Sequence, residues 1–188
     1  MTELATRAII FAAEAHDGMR RKQSDCPYIL HPMEAAVIVG TVTSDQEVIA
    51  AAVLHDVVED AGITPREVEE RFGKRVAQLV ASETEDKMRP LPAESTWKAR
   101  KSESLRILSE TQDRDIKILY LGDKLANLRS IHHVWLNKGD AVWQDFNQKD
   151  PSQQAWYYRS IAESIGELSD TQAWQELDRL IRTIFAEV

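Results

Sequence analysis

Apolar residues recur at three- and four-residue spacing along most of this 188-residue chain, and alternating strand patterns are scarce. Leu4, Ala8, Phe11, Ala12 and Ala15 are a clear example, because this spacing places them on one face of a helix over residues 4–16. The chain is 43% hydrophobic with only seven glycines and six prolines, which is typical of an ordered globular protein. The pattern predicts one all-α domain of about eight or nine helices over residues 1–188.

Capping residues and prolines predict several helix boundaries. Candidate caps are Ser44 or Asp45, Thr64 in a capping box with Glu67, Asp113, and Asp150 before a proline. Pro32 is expected at the first position of a helix that runs to about Val42. The helix that begins near Asp45 is expected to continue to Gly62. Two prolines in the stretch Met88 to Glu94 predict a loop, which could act as a lid, before a helix that starts at Ser95 or Thr96.

The charge distribution favours a small anionic ligand. A net charge of −8 argues against a long nucleic-acid footprint, which needs a basic surface. The basic residues nevertheless form local groups, which are Arg20-Arg21-Lys22, then Lys98 with Arg100 and Lys101, then Lys124 with Arg129. The middle group is interpreted as a solvated helix surface.

The sequence favours a cytosolic protein. The N-terminus lacks a cationic leader followed by a long apolar run, and no segment approaches the roughly 20 apolar residues of a membrane span. The single cysteine, Cys26, excludes an internal disulfide framework and is expected to be a small, part-buried side chain.

The octapeptide Val53 to Asp60 carries the strongest chemical signal. It contains two possible metal ligands, His55 and Asp56, followed one helical turn later by Glu59 and Asp60. One pair could hold a cation while the other handles a water molecule, which indicates metal-assisted hydrolysis. A His-Asp pair alone is weak evidence, since most such pairs have no joint role.

Two further residues strengthen this interpretation. His31 stands within Pro27 to Pro32, and Asp123 interrupts an otherwise apolar helix that is expected to run from Asp113 to about Asn137. A buried aspartate without a partner costs several kcal/mol, so Asp123 is expected to have a cation nearby.

The order His31, then His55-Asp56, then Asp123 resembles that of the HD-domain phosphohydrolases. The surrounding sequence resembles the RelA/SpoT hydrolase branch, whose small alarmone hydrolases remove the 3′-pyrophosphate of (p)ppGpp. The similar stretches are Arg20–Lys22 before Pro27–Pro32, Leu54–Asp60, Glu69–Gly73 with Glu85–Lys87, and Asp123–Arg129. This resemblance implies an HD-domain helical bundle that hydrolyses (p)ppGpp to GDP or GTP and pyrophosphate.

The resemblance also implies the roles of individual residues. His31, His55, Asp56 and Asp123 would bind one divalent metal ion, which is manganese in the best-known relatives. The mixture of imidazoles and carboxylates also suits iron or other divalent ions. Glu59 and Asp60 would position or deprotonate the attacking water; the alternative is that they are solvated residues at a helix end.

Four residues would contact the nucleotide according to the same resemblance. Arg21 and Lys22 would stack on the purine and meet phosphate, although Arg20 could replace Arg21 because the spacer that follows differs in length. Asn127 would reach the sugar and phosphate, or bridge helices. Tyr157 would contact the ligand, or pack in the core.

The chain departs from the family pattern at Ala61, at Gly122 and most of all in the loop from Met88 to Trp97. Such loops often select the substrate, so hydrolysis is better supported than the identity of the nucleotide. Alternative substrates are ppApp, NADPH or another phosphorylated nucleotide. A different class of alternative is a non-catalytic nucleotide sensor or antitoxin. No synthetase half is expected in this chain, and the sequence does not indicate an oligomeric state.

Overall fold

The computed structural model describes residues 3–21, 25–88 and 90–188, and within these ranges the chain forms helices and no β-strand. The ten α-helices described are α1 (Leu4–Ala15), α2 (Leu30–Gly40), α3 (Gln46–Leu54), α4 (Val57–Asp60), α5 (Pro65–Phe72), α6 (Lys74–Glu83), α7 (Ala93–Glu110), α8 (Arg114–Lys138), α9 (Pro151–Ser164) and α10 (Gln172–Ile184). Nine of them have eight or more residues, and α4 is a single turn. Two 3₁₀ helices cover Gly139–Asp145 and Gly166–Leu168. The predicted all-α class and approximate helix number are confirmed.

Four of the predicted helix starts depend on capping hydrogen bonds, and these are present. A carboxylate oxygen of Asp45 accepts a hydrogen bond from the backbone N–H of Glu47 at 2.8 Å, which caps α3. Asp113 and Asp150 cap α8 and α9 in the same way. Thr64 forms the predicted capping box at the start of α5.

Four expectations about the chain need correction. The helix predicted to pass through the octapeptide ends at Leu54 and resumes at Val57, and the His55 ring reaches back to the carbonyl oxygen of Ala52 at 2.7 Å. Helix α2 begins at Leu30, two residues before Pro32, and α7 begins at Ala93 before the predicted start. Cys26 is exposed rather than part-buried.

Helices α2, α3 and α8 form the centre of the fold. The 25-residue helix α8 packs against both α2 and α10, while α3 packs against α1, α2 and α6. Helix α3 is buried along most of its length, from Val48 through the run Ala50 to Leu54. Because apolar burial fixes these three helices together, polar residues at their facing positions are held at short range.

The described helices include none with the length and apolar character needed to cross a membrane.

Candidate metal centre and the cavities beside it

The four predicted metal ligands come from the three central helices and lie next to one another. His31 is on α2, Asp123 is on α8, and His55 and Asp56 follow the end of α3. His31 Nε2 lies 3.0 Å from Asp123 Oδ1 and 3.5 Å from Asp56 Oδ2. His55 Nε2 lies 3.2 Å from Asp56 Oδ2 and 3.5 Å from Asp123 Oδ1, and the two Nε2 atoms are 3.3 Å apart.

Burial raises the pKa of the carboxyl groups in this cluster, and charge pairing within the cluster lowers it. Burial favours neutral Asp56, but His55 and His31 hold its pKa below the ordinary value. Burial acts on Asp123 in the same direction, yet Lys124 and the two imidazoles hold its pKa well below the ordinary value. Both carboxyl groups are therefore ionised and able to act as ligands at neutral pH.

The donor set fits a divalent cation. Ligand atoms of His31, His55 and Asp123 all lie within 4.8 Å of one another, and all three residues are buried. The contact between His55 Nδ1 and the Ala52 carbonyl oxygen turns Nε2 toward the cluster, which is the usual arrangement behind a histidine ligand. Two imidazole nitrogens and carboxylate oxygens form a mixed site that suits several divalent ions. His31, His55 and Asp123 could therefore hold a metal ion.

Tyr28 connects the cluster to the acidic pair that follows it. Its hydroxyl group is 2.8 Å from Asp56 Oδ2 and 2.9 Å from Asp60 Oδ2, so one hydroxyl oxygen contacts a predicted ligand and a predicted catalytic carboxylate. Burial, together with Asp56 and Asp60, raises the pKa of Tyr28 far above its ordinary value. The hydroxyl group therefore stays protonated and can donate a hydrogen bond. The sequence interpretation assigned no role to Tyr28, although it lies within a stretch that carries the resemblance.

Glu59 and Asp60 are partly buried at the cavity wall, and each accepts a hydrogen bond or forms an ion pair. Lys87 forms an ion pair with Asp60, and its Nζ is 3.5 Å from Glu59 Oε1. The backbone N–H of Glu85 donates to Glu59 Oε2 at 3.2 Å. Burial and the nearby Asp56 raise the pKa of Glu59 above its ordinary value. These contacts disagree with the alternative interpretation, in which Glu59 and Asp60 are solvated residues at a helix end.

A chain of hydrogen bonds links Arg21 to the cluster. Arg21 Nη2 donates to Asn127 Oδ1 at 3.0 Å, and Asn127 Nδ2 donates to Asp123 Oδ1 at 2.6 Å. Arg20 instead donates to the backbone carbonyl oxygen of Asp25 at 2.8 Å. Both arginines line the larger cavity, but of the two only Arg21 also lines the inner cavity. Lys22, the other predicted basic contact, lies outside the described residues.

Two cavities meet at this point. An inner cavity of about 150 Å³ is lined by the four predicted ligands, Glu59 and Asp60. A larger cavity of about 490 Å³ shares Arg21, Tyr28, Asp60 and Asn127 with it. The larger cavity is also lined by the apolar or aromatic residues Met19, Ile131, Phe146 and Tyr158. A ligand with a planar, partly apolar portion and a charged portion would fit across the two.

Tyr157 and His16 lie behind these cavities. Tyr157 is only 3% exposed and packs against Trp97, Trp156 and Tyr158. Its neighbour Tyr158, which the sequence interpretation did not select, lines the larger cavity. The buried ring of His16 lies 5.0 Å from the ring of Tyr28, centroid to centroid, and supports it from behind.

The middle basic group is not the solvated surface that the sequence predicted. Glu85 Oε2 accepts from Arg100 Nη1 at 2.7 Å, and Glu85 Oε1 accepts from Lys101 Nζ at 2.6 Å. The side chains of Arg100 and Lys101 are 10% and 19% exposed. Only Lys98 extends outward, with its Nζ 3.0 Å from the ring centroid of Trp156. The prediction of a solvated surface failed because Glu85 lies 15 residues from Arg100 and 16 from Lys101, outside any local pattern.

Comparison with known proteins identifies the family. The HD domain model matches residues 8–149. The chain is 37% identical over 127 residues to a guanosine-3′,5′-bis(diphosphate) 3′-pyrophosphohydrolase of Aquifex aeolicus, which covers 66% of this chain and 17% of that protein. It is 30% identical over 145 residues to a GTP pyrophosphokinase of Myxococcus xanthus, which covers 76% of this chain and 19% of that protein. The chain thus spans about a fifth of the length of these curated relatives.

Solved structures match over more of their length. A metazoan ortholog of SpoT, described as hydrolysing ppGpp, superposes with a TM-score of 0.77 at 25% identity and covers 97% of this chain and 96% of that one. A crystal structure from Listeria monocytogenes EGD-e superposes with a TM-score of 0.73 at 30% identity, and covers 84% of this chain and 99% of that one. The family model, the sequence relatives and the helical architecture agree, and this chain belongs to the HD-domain family.

Proposed function

We propose that this chain is a metal-dependent hydrolase that removes the 3′-pyrophosphate of guanosine alarmones. Water attacks the phosphorus bonded to the 3′-oxygen, and (p)ppGpp yields GDP or GTP plus pyrophosphate. We further propose that residues 1–188 act as one hydrolase domain, that His31, His55, Asp56 and Asp123 are its metal ligands, and that manganese is the ion.

The observation that carries the proposal is the convergence of these four side chains in one small, polar cavity. That cavity opens into a larger one beside Arg21, where a nucleoside can lie. The relatives support the substrate, since one is named as a 3′-pyrophosphohydrolase of the same nucleotide and another is described as hydrolysing ppGpp.

Glu59 and Asp60 handle the water in this proposal. A divalent ion bound to the four ligands would lower the pKa of a bound water and offset phosphate charge. Asp60, which is held by Tyr28 and Lys87, orients the water. Glu59 takes the proton, because burial and the neighbouring Asp56 raise its pKa above the ordinary value and so make it a stronger base.

The nucleoside is held by the shared wall of the two cavities. The Arg21 guanidinium carbon is 5.7 Å from the ring centroid of Tyr28, which leaves a planar cationic surface for a purine. Asn127 faces the sugar and the first phosphate from α8. Lys22 is proposed as a phosphate contact on the family resemblance alone. Tyr157 is assigned to packing behind the wall, because it is almost fully buried.

The test is a turnover assay with manganese and a panel of ppGpp, ppApp and NADPH, following pyrophosphate or phosphate release and the nucleotide product. We expect ppGpp to yield GDP and pyrophosphate. The variant Asp56→Ala should lose activity, while Asp115→Asn, a change in a surface ion pair with Arg75, should retain it. Robust activity on ppApp or NADPH with none on ppGpp would overturn the proposed substrate. Undiminished toxin neutralisation by Asp56→Ala would instead favour the non-catalytic alternative.

A further inference from the structure

Helix α7 brings a lysine to the inner cavity that the proposed mechanism has not used. Lys101 lines the same cavity as the four ligands, and its Nζ is 4.9 Å from the ring centroid of Tyr157. It is absent from the lining of the larger cavity, which Arg21 shares. Lys101 therefore belongs to the end of the site where the metal ligands lie, away from the proposed nucleoside position.

The inner cavity is rich in acids and has few cations. Its acidic residues are Asp56, Glu59, Asp60, Glu83, Glu85 and Asp123. Apart from its imidazoles, the lining among the described residues includes three basic side chains, Arg21, Lys101 and Lys124. Contact with one of these cations, in addition to the proposed metal ion, would stabilise a phosphate group that enters this cavity beside so many carboxylates.

The three basic side chains differ in how easily they can leave their present hydrogen-bond and ion-pair partners. Lys124 forms a partly buried ion pair with Asp123, a proposed metal ligand, so its departure would leave that carboxylate less well paired. Arg21 is held by Asn127 at the border of the two cavities. Lys101 is bound to Glu85, which also has other donors.

Glu85 keeps two side-chain donors if Lys101 moves. Arg100 Nη1 donates to Glu85 Oε2 at 2.7 Å, and Ser104 Oγ donates to Glu85 Oε1 at 3.2 Å. The partly buried carboxylate would thus remain hydrogen-bonded and paired with a cation after Lys101 has rotated away. A flexible lysine stem with three N–H donors suits such an exchange of partners.

We propose that Lys101 binds the pyrophosphate group, exchanging Glu85 for a terminal phosphoryl oxygen. This inference rests on the proposed function, which places a pyrophosphate group in the inner cavity. The free space of about 150 Å³ corresponds to roughly ten water-sized volumes, which is sufficient for a group of nine non-hydrogen atoms. Lys101 and Arg21 then hold opposite parts of one substrate, the leaving group and the nucleoside.

The test uses inorganic pyrophosphate as the probe and calorimetric titration as the readout, on protein loaded with manganese and freed of excess metal. Lys101→Met should weaken pyrophosphate binding about tenfold or more, as expected for the loss of a charge-assisted hydrogen bond. Lys101→Arg should restore part of the affinity. The matched control is Lys98→Met on the same helix, which should leave the affinity unchanged, because Lys98 contacts Trp156 and Gln153 outside the cavity.

A second variant separates ligand binding from support of Glu85. Glu85→Gln releases Lys101 from its ion pair, so this variant should bind pyrophosphate at least as tightly as the parent protein. Equal loss of affinity in Glu85→Gln and Lys101→Met, or unchanged affinity in Lys101→Met, would overturn the proposal. Because the probe contains no guanosine, these titrations decide the role of Lys101 separately from the turnover assay, which decides the substrate.

Discussion

Gly122 of α8 packs directly against Val39 of α2. A Cβ atom at position 122 would lie 2.6 Å from Val39 Cγ2 and 2.9 Å from the backbone oxygen of Ala35, distances at which atoms must move apart. The glycine thus sets the spacing between the helix that carries His31 and the helix that carries Asp123. The two helices leave no room for alanine at this position, where the chain departs from the family pattern.

We expect Gly122→Ala to lower the free energy of unfolding by about 1–3 kcal/mol, as overpacking of a tight core does. It should also weaken manganese binding, because α2 and α8 must separate beside the ligands. Urea denaturation and metal titration measure the two effects. The control is Gly40→Ala, since a Cβ atom at position 40 meets nothing within 4 Å and should leave both quantities nearly unchanged. Full stability and full metal affinity in Gly122→Ala would contradict the packing argument.

Capping residues predicted the starts of α3, α5, α8 and α9, whereas long-range contacts determine the details of the site. The cap at Asp45 could be predicted because its acceptor and donor are two residues apart. The burial of Lys101 could not, because its partner Glu85 is distant in sequence and joins it only through packing of the folded chain. Likewise, helical periodicity gave no indication that His55 would end α3.

The group of candidate metal ligands could be predicted only in part from the sequence. Spacing alone did not connect His31 with Asp123, which are 92 residues apart; the family resemblance did. The structure adds partners that no motif specified, such as the hydroxyl group of Tyr28 between Asp56 and Asp60. Side-chain direction in the folded chain decides such contacts, and no local pattern in a single sequence specifies it.

Tyr28→Phe should lower kcat about tenfold or more with little change in KM. The substitution removes the hydrogen bond shared by Asp56 and Asp60, so the water loses orientation, while the aromatic ring beneath Arg21 remains. Steady-state kinetics with ppGpp measure the effect. Tyr120→Phe is the matched control, because its hydroxyl group donates to the backbone oxygen of Ser82 outside both cavities. An unchanged kcat in Tyr28→Phe would show that the hydroxyl group does not position the acids.

Manganese should raise the melting temperature of chelator-treated protein. A ligand that binds only the folded state stabilises it by about 2.7 kcal/mol at a hundredfold excess over its dissociation constant. Asp123→Asn should abolish this shift, because it removes a buried ligand charge between the two imidazoles. Differential scanning fluorimetry, with metal content measured by mass spectrometry, reports both results. Asp115→Asn should retain the shift, and a full shift in Asp123→Asn would exclude that residue as a ligand.

Glu83 makes the stability of the metal-free protein depend on pH. Its side chain is buried beside the inner cavity, and its nearest described cation is Lys124 Nζ at 3.8 Å. Burial, opposed by Lys124 and reinforced by Asp123, raises the pKa of Glu83 to about 7. Between pH 4.5 and about 7 the Glu83 carboxyl group is therefore protonated in the folded state and ionised in the unfolded state. Its contribution to stability falls as the pH rises through that interval.

Glu83→Gln removes this titration while keeping the size of the side chain. The difference in unfolding free energy between the variant and the parent protein should favour the variant by about 1–3 kcal/mol more at pH 8 than at pH 5. Urea denaturation of chelator-treated protein at the two pH values measures the difference. Glu110→Gln, which changes an exposed carboxylate paired with Arg106, should alter stability little at either pH. If the difference between Glu83→Gln and the parent protein is the same at both pH values, the buried carboxyl group does not titrate in this range, and the inner cavity already stabilises its charge.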